Sequence, residues 1–183
     1  LIPALISQNK AKSILIFCNM KIKCDQLADD LYALGLDVLT LHSDLEQKQR
    51  DETIILFSNK SYPVLIATDV ASRGLHIDDV DLVINFDLSL DEKIHTHRIG
   101  RTARAGKGGL AISLYTQNDM DRVFAIKEVF ADIEEENISN VEDDLSYKID
   151  SPQRTIFING GKKQKLRAGD ILGALTAGIG LSK

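Results

Sequence analysis

The chain has 183 residues, of which 44% are hydrophobic, and it carries 22 Lys and Arg against 27 Asp and Glu. This length suits one well-buried domain with a shorter appendage, and it argues against a second complete domain. The charge is uneven, because residues 1–146 hold 15 basic and 25 acidic side chains whereas residues 147–183 hold 7 and 2. A polyanionic partner would therefore be held by local basic patches, although a solubilising surface with a basic tail explains the same numbers.

The sequence contains no pattern typical of a membrane-spanning segment or of a signal peptide. No run of about 18 apolar residues occurs, and "LIPALISQNK" lacks the basic region and the small-residue cleavage site of a signal peptide. Cys18 and Cys24 stand six residues apart, outside metal-clip and redox-motif spacing, so we expect free thiols that are buried or partly buried. Such thiols suit a reducing compartment. These features predict a cytoplasmic protein with no membrane partner and no metal ligands of its own.

Apolar β-rich runs alternate with amphipathic stretches over most of the chain. The pattern predicts strands at 13–18, 37–42, 63–69, 81–87 and 109–115, and helices at 21–34, 45–58, 90–104 and 117–131. Such alternation indicates an α/β fold, with a parallel β-sheet sandwiched by helices. Helix starts are predicted where two residues have capping-box spacing, at Ser43 with Glu46, Ser89 with Glu92 and Thr116 with Asp119.

Polar residues cluster where the first three predicted strands end. They are Asn19 and Lys21, then His42 to Asp44, then Thr68 to Arg73. Ligands of open parallel sheets bind beyond the carboxyl ends of the strands. We therefore expect the functional site at this edge.

The stretch "HRIGRTARAG" (97–106) concentrates cationic side chains. On a continuous helix His97, Arg101 and Arg104 would share one stripe at i, i+4 and i+7, with Arg98 turned about 100° away. Planar guanidinium groups suit phosphate oxygens, and fixed cations stabilise a phosphoryl transition state. A solvated basic helix end, favourable to the helix dipole, explains the same spacing.

Two other stretches have the residue types of a phosphate-backbone site. In "ATDVASRGL" (67–75), Thr68 offers a hydroxyl and Gly74 permits close approach of a ligand, although an ordinary turn with Asp69 as N-cap is equally compatible. Gln47 and Arg50 share one helix face, which could contact phosphates or simply be solvated. No G-x-x-x-x-G-K-[ST] loop occurs anywhere, so the chain lacks a phosphate cradle of that type.

Four segments resemble motifs IV, Q-x-x-R, V and VI of the DEAD-box RNA helicases in order and spacing: "ILIFCNMK" (14–21), "LHSDLEQKQR" (41–50), "ATDVASRGL" and "HRIGRTARAG". H-R-x-G-R in place of Q-R-x-G-R favours this family over the DEAH group. The resemblance implies a RecA-like helicase C-terminal domain over residues 1–146. It also implies an ATP-dependent RNA helicase whose ATP and Mg are bound mainly by a partner, the N-terminal RecA-like domain. By itself this chain should be inactive.

The resemblance also implies roles for matching positions. Arg101 and Arg104 would be the catalytic arginines. The nucleotide would also be contacted by His97, Gly74 and His76. The RNA would be contacted by Gln47, Arg50, Thr68 and Gly74. Asp69 and Arg73 would brace the motif V loop. Ser43 and Ala103 stand where glycine is usual, which is a mild steric change. His76 stands where aspartate is usual, and a neutral imidazole cannot replace a carboxylate charge for charge in a ribose contact.

The end of the chain, "QRTIFINGGKKQKLRAGDILGALTAGIGL" (153–181), resembles the start of the RNA-binding domain of DbpA-type DEAD-box helicases. The resemblance implies large-subunit ribosomal RNA as the target. We predict a linker at 147–153 and a partial RRM-like domain at 154–183, with "TIFIN" as a strand, "GGKKQKLR" as a turn and "AGDILGALTAG" as a helix. RNA phosphates would be met by Lys162, Lys163, Lys165 and Arg167. One strand and one helix cannot close a core, so their apolar face should lean on the main domain or a neighbouring chain.

Two other functions can be weighed against a helicase half. A non-enzymatic RNA-binding module would use the same sheet edge and basic tail. A nicotinamide-dinucleotide domain is disfavoured, because no G-x-G-x-x-G follows the first strand.

Overall fold

A parallel β-sheet of five strands forms the centre of the computed structural model, which describes residues 1–72, 77, 79–89, 91–102, 109–130, 133–144 and 146–178, with Lys162 as backbone only. The strands lie in the order β2-β3-β1-β4-β5 and all pair in parallel. Their bounds are β1 Ile14–Phe17, β2 Val38–Leu41, β3 Val64–Ala67, β4 Leu82–Asn85 and β5 Leu110–Ser113. This architecture confirms the predicted fold class.

Helices connect the strands and cover the sheet. They are α1 Ile2–Gln8, α2 Lys21–Ala33, α3 Gln47–Ser58, α4 Asp69–Ser72, α5 Glu92–Ile99, α6 Met120–Val129 and α7 Ala168–Gly173. Single 3-10 turns occupy Gln117–Asp119, Ile138–Asn140 and Lys162–Gln164, and a π-turn at Ala174–Gly178 continues α7. No helix in the described ranges combines the length and the apolar character needed to cross a bilayer.

The helix starts agree only in part with the capping signals. The cap at Thr116 is confirmed, since its backbone N–H donates to Asp119 Oδ2 at 3.0 Å. The predicted starts at Ser43 and Ser89 are wrong, because residues closer to each helix take the capping position. Glu46 caps α3, with Gln49 Oε1 accepting from the Glu46 N–H at 2.9 Å. Asp91 caps α5 by accepting from the Ile94 N–H at 2.8 Å.

The core has two layers because side chains alternate across the sheet. Ile14 and Ile16 of β1 face the layer formed with α1 and α2, whereas Leu15 and Phe17 face the layer that contains Phe57 of α3. The strands β1, β3 and β4 are buried at every position. This is the burial that their near-continuous apolar sequences predict. Cys18 and Cys24 are buried free thiols, as expected.

The segment after α6 runs back over the domain. Ser7 Oγ donates to Asp143 Oδ1 at 3.2 Å, and the Tyr147 hydroxyl donates to the Ala11 carbonyl at 3.0 Å. Val141 and Ile149 pack against the core layer that contains α1 and α2. Part of the stretch predicted as linker is therefore in contact with the domain.

The tail differs from its prediction in one element. Residues 155–159 form no strand, because no other described segment pairs with them, and Phe157 is left 70% exposed. The predicted turn and helix do form, as the 3-10 turn Lys162–Gln164 and as α7. Helix α7 buries no residue against the main domain and leaves Leu172 52% exposed, so that half of the burial prediction is wrong for α7, and packing against a neighbouring chain stays a prediction.

Candidate functional site

The carboxyl edge of the three central strands gathers polar side chains around one arginine. Asn19 follows β1, Asp69 follows β3 and Asp87 follows β4. Arg98 of α5 projects into the space between them and is 1% exposed. The expectation that polar groups collect at this edge is thus confirmed, with Arg98 at the centre.

All five N–H donors of the Arg98 guanidinium are satisfied. Nε donates to Asp69 Oδ1 at 2.7 Å, and Nη2 donates to Asp69 Oδ2 at 2.6 Å and to Asn19 Oδ1 at 2.7 Å. Nη1 donates to the Asp87 carbonyl at 2.8 Å and to Asn85 Oδ1 at 3.4 Å. The bidentate pairing with Asp69 is the strong, orientation-fixing form of an ion pair. One side chain therefore ties α5 to the ends of β1, β3 and β4.

Neighbouring contacts support this cluster. The Arg98 guanidinium carbon lies 5.1 Å from the centre of the Phe17 ring, in cation–π contact. Asp87 accepts from the Asn19 N–H at 3.0 Å and forms an ion pair with Lys23. The hydrogen bond from Lys23 to Asp87 raises the pKa of Lys23 above its ordinary value. The cluster keeps the carboxyl edge fixed while His97, on the adjacent helix position, remains exposed.

A pocket of about 240 Å³ opens beside Arg98. It is lined by Phe17, Asp69, Ser72, Ile94, His97, Arg98 and Arg101. Asp69 in this lining is paired with Arg98, and Arg101 contributes a second guanidinium group. Pockets that enclose a drug-sized ligand measure roughly 300–1,000 Å³. This pocket is therefore smaller than a site that encloses a whole ligand of that size.

The predicted helical stripe is wrong at Arg101. Helix α5 ends at Ile99, Gly100 is its C-cap, and Arg101 lies in the following turn, where its carbonyl accepts from the Val80 N–H at 3.3 Å. Gly100 was the available sequence signal, since glycine is enriched after helix ends. His97 and Arg101 nevertheless line the same pocket. Arg104, like Ala103, lies outside the described residues.

The predicted RNA-facing residues divide into exposed and braced side chains. Gln47 is exposed and its amide donates to Asp51 Oδ1 at 2.7 Å. Arg50 is half-buried and donates from Nη2 to the Ala71 carbonyl at 3.1 Å, which links α3 to α4. Thr68 is half-buried, and its N–H donates to the Leu41 carbonyl at 3.1 Å.

The remaining predicted positions belong to the tail or lie outside the described residues. Lys163, Lys165 and Arg167 are exposed around the turn before α7. The side chain of Lys162 is not described. Arg73, Gly74 and His76 lie outside the described residues. Asp69 does brace this region, but its partner is Arg98.

Sequence reasoning missed Arg98 as the organising residue. The signal was present, because its direction about 100° from the stripe pointed toward the sheet, where Asp69 and Asn19 were already expected. The sequence predicts cations that face a ligand, whereas Arg98 faces carboxylate and amide oxygens of its own domain. In the described residues no group of three or more His, Cys, Asp and Glu side chains is arranged for a metal ion.

Comparisons with known proteins agree with this geometry. The family described as "Helicase conserved C-terminal domain" matches residues 1–106, and that described as "DbpA RNA binding domain" matches residues 155–183. The ATP-dependent RNA helicase DbpA of Escherichia coli (strain K12) is 43% identical over 181 residues, which cover 99% of this chain and 39% of that protein. The ATP-dependent rRNA helicase RRP3 of Candida glabrata is 42% identical over 125 residues, which cover 68% and 25%.

Solved structures give the same result. The E. coli DEAD-box protein SrmB, bound to the regulator of ribonuclease activity A, is 34% identical with a TM-score of 0.69, covering 77% of this chain and 84% of that one. Dbp5 of S. cerevisiae bound to RNA and ADP BeF3 is 36% identical with a TM-score of 0.66, covering 73% and 36%. The chain therefore belongs to the DEAD-box RNA helicases, as a C-terminal RecA-like domain followed by a DbpA-type RNA-binding segment.

Proposed function

We propose that this chain is the C-terminal half of an ATP-dependent RNA helicase, with Arg101 and Arg104 meeting the phosphates of ATP bound by an N-terminal RecA-like domain. The observation that carries the proposal is the pocket in which His97 and Arg101 stand beside the buried Arg98–Asp69 pair. When water attacks the γ-phosphorus and the bond to the β–γ bridging oxygen breaks, negative charge shifts to the leaving ADP oxygen. Fixed guanidinium groups stabilise that charge.

The carboxylates described at this edge do not fit a magnesium site. Both oxygens of Asp69 accept from Arg98, and Asp87 is paired with Lys23. A magnesium ion needs carboxylate or phosphate oxygens that are available to it. We therefore propose that Mg is bound by the N-terminal domain. His76 and Gly74 are proposed to contact the nucleotide.

RNA is the proposed substrate, and the protein would bind it through its sugar-phosphate backbone. The exposed amide of Gln47, the half-buried Arg50 and the Thr68 hydroxyl would contact phosphates, with Gly74 allowing close approach. The basic turn before α7, with Lys162, Lys163, Lys165 and Arg167, would add a second contact. The tail's match to the DbpA RNA-binding domain supports RNA as the target, and the likeness to the rRNA helicase RRP3 supports ribosomal RNA. The large-subunit ribosomal RNA is the proposed target. Two buried free thiols support action in the reducing cytoplasm.

Reconstitution of ATP hydrolysis tests the proposal. The chain is mixed with a separately purified N-terminal half of a DbpA-type helicase, and RNA-stimulated phosphate release is measured. We expect turnover only when both halves are present, with a loss of at least 10³-fold in Arg104→Ala or Arg101→Ala, the scale of an arginine finger. Arg122→Ala is the matched control, because Arg122 is exposed and pairs only loosely with Asp119, at 3.7 Å.

A non-enzymatic RNA-binding module is the second candidate, favoured by the exposed cations Lys163, Lys165 and Arg167. It predicts RNA binding that falls steeply with salt and no ATP turnover in the mixture. Turnover that is identical in wild type and both arginine variants would exclude the proposed role of Arg101 and Arg104.

A further inference from the structure

Among the described residues, side-chain contacts of Arg154, Thr155 and Phe157 attach the tail to the body of the domain. The Thr155 hydroxyl lies 2.7 Å from Ser61 Oγ and also accepts from the side-chain amide of Asn59. Arg154 Nη1 lies 3.9 Å from Asp37 Oδ2. Lys48 Nζ lies 5.8 Å from the centre of the Phe157 ring.

These contacts trace a path along α3. Asn59 and Ser61 stand between the end of α3 and the start of β3, at the amino edge of the sheet, whereas Lys48 lies in the first turn of α3, at the carboxyl edge. At 1.5 Å per residue, the 12 residues of α3 span about 18 Å. Residues 154–157 therefore lead the chain from the amino edge toward the end of α3 that carries Gln47 and Arg50.

The contact at Ser61 is the one that can fix this path. Ser61 is 3% exposed, so its hydroxyl needs a protein partner, and Thr155 provides one. The Arg154–Asp37 pair is exposed on both sides and adds little. Lys48 is 76% exposed, so its contact with Phe157 is a weak cation–π interaction.

We propose that residues 154–157 are a strap that docks the tail on α3, so that the first turn of α3 and the basic turn at 161–167 form one continuous RNA-binding surface. The choice of RNA as the occupant rests on the proposed function. Phe157 stands beside Lys48, and six residues of chain reach at most about 22 Å to Lys163. On the proposed surface the cations Lys48, Arg50, Lys163, Lys165 and Arg167 are neighbours, and this reach limits how far Lys163 can lie from Lys48.

Docking would raise RNA affinity without adding contacts. When one RNA touches two patches held at a fixed separation, the second contact is intramolecular and its effective concentration is high. A flexible linker lowers that concentration, because the tail then samples many positions. The strap therefore determines how strongly the tail and α3 act together on a single RNA.

The geometry is tested by spin-label distances in the full chain. Labels at Glu52→Cys on α3 and Gln164→Cys in the basic turn occupy exposed positions, and the native thiols are buried. We expect one narrow distance distribution in the otherwise unchanged chain and a broad one in Thr155→Val. Thr176→Val is the matched control, since the Thr176 hydroxyl donates within α7 and its π-turn, to the Leu172 carbonyl. A broad distance distribution in the chain that keeps Thr155 would overturn the strap.

The RNA surface is tested separately with a fluorescent single-stranded RNA titrated at several salt concentrations. We expect Thr155→Val to weaken binding about tenfold, and Lys48→Ala and Lys163→Ala each to reduce the salt slope. If Thr155→Val broadens the spin-label distance distribution but leaves the affinity for RNA unchanged, the strap has no effect on RNA binding. That result would overturn the proposal of a shared RNA-binding surface. If the chain bound no RNA at all, the proposed function would fail, while the distances would still decide whether the tail docks.

Discussion

Replacing Arg98 tests the organisation of the carboxyl edge. Arg98→Ala leaves the Asp69 side chain, 18% exposed, without its cation, and it removes the donors to Asn19 Oδ1 and the Asp87 carbonyl. Breaking a buried pair by removing one partner costs about 3–5 kcal/mol. Since domains of this size are stable by only about 5–15 kcal/mol, this variant should lose a large share of its stability.

Arg98→Lys provides a graded version of the same test. Lysine keeps the charge but has three donors on a single nitrogen, so it can make at most three of the five bonds. At about 1 kcal/mol for each hydrogen bond lost, the expected cost is about 2 kcal/mol. Urea unfolding followed by far-UV circular dichroism measures both variants.

The control is Lys21→Met, which removes an exposed ion pair with Asp44 and should leave the urea midpoint nearly unchanged. Combining Arg98→Ala with Asp69→Ala should cost clearly less than the two single changes together, because the pair acts as a unit. A cost below about 1 kcal/mol for Arg98→Ala, or strict additivity in the double variant, would refute the role assigned to this cluster.

Two further predictions concern acid stability and thiol reactivity. Burial, and to a lesser degree the charge of Arg98, lower the pKa of His95 below 6.5 in the folded state, so the unfolded state binds more protons at mildly acid pH. The urea concentration at the unfolding midpoint should therefore decrease as the pH is lowered from 7 to 5.5, and His95→Phe should make this decrease smaller. An equally steep decrease in the variant would show that His95 is not its cause. Hydrogen bonding to Cys24, together with burial, raises the pKa of the Cys18 thiol. Cys18 should therefore react with a thiol reagent only in denaturant, because the thiolate is the reactive form. Rapid reaction of Cys18 in the native chain would refute its burial.

The sheet and its layers could be predicted from the sequence, because parallel strands buried on both faces require the apolar runs found at 64–66 and 82–84. Helix ends are harder to predict, since Ser43 and Glu46, like Ser89 and Asp91, offer alternative capping residues a few positions apart, and only the geometry of the turn decides between them. The strand expected at 155–159 fails for a different reason. Strand formation depends on a neighbour, which propensity alone does not provide.

The candidate site was predicted in location but not in its internal arrangement. Motif residues indicate the carboxyl edge, and His97 and Arg101 line one pocket beside Arg98, while their role stays a prediction. Periodicity does not show that α5 stops at Ile99, so the predicted helix runs past its observed end. The bonds of Arg98 join segments up to 79 residues apart in sequence, and such pairings are set by the packed sheet.

Nucleotide-dependent association is the most direct test of the central proposal, that this chain is one side of an ATP site closed by another domain. Binding of the chain to an N-terminal half of a DbpA-type helicase is measured with RNA present, in ADP and in a non-hydrolysable ATP analogue. We predict tight association only with the analogue, weakened at least tenfold by Arg101→Ala or Arg104→Ala. Association that is equally strong in ADP and in the analogue, and indifferent to both arginines, would contradict the account.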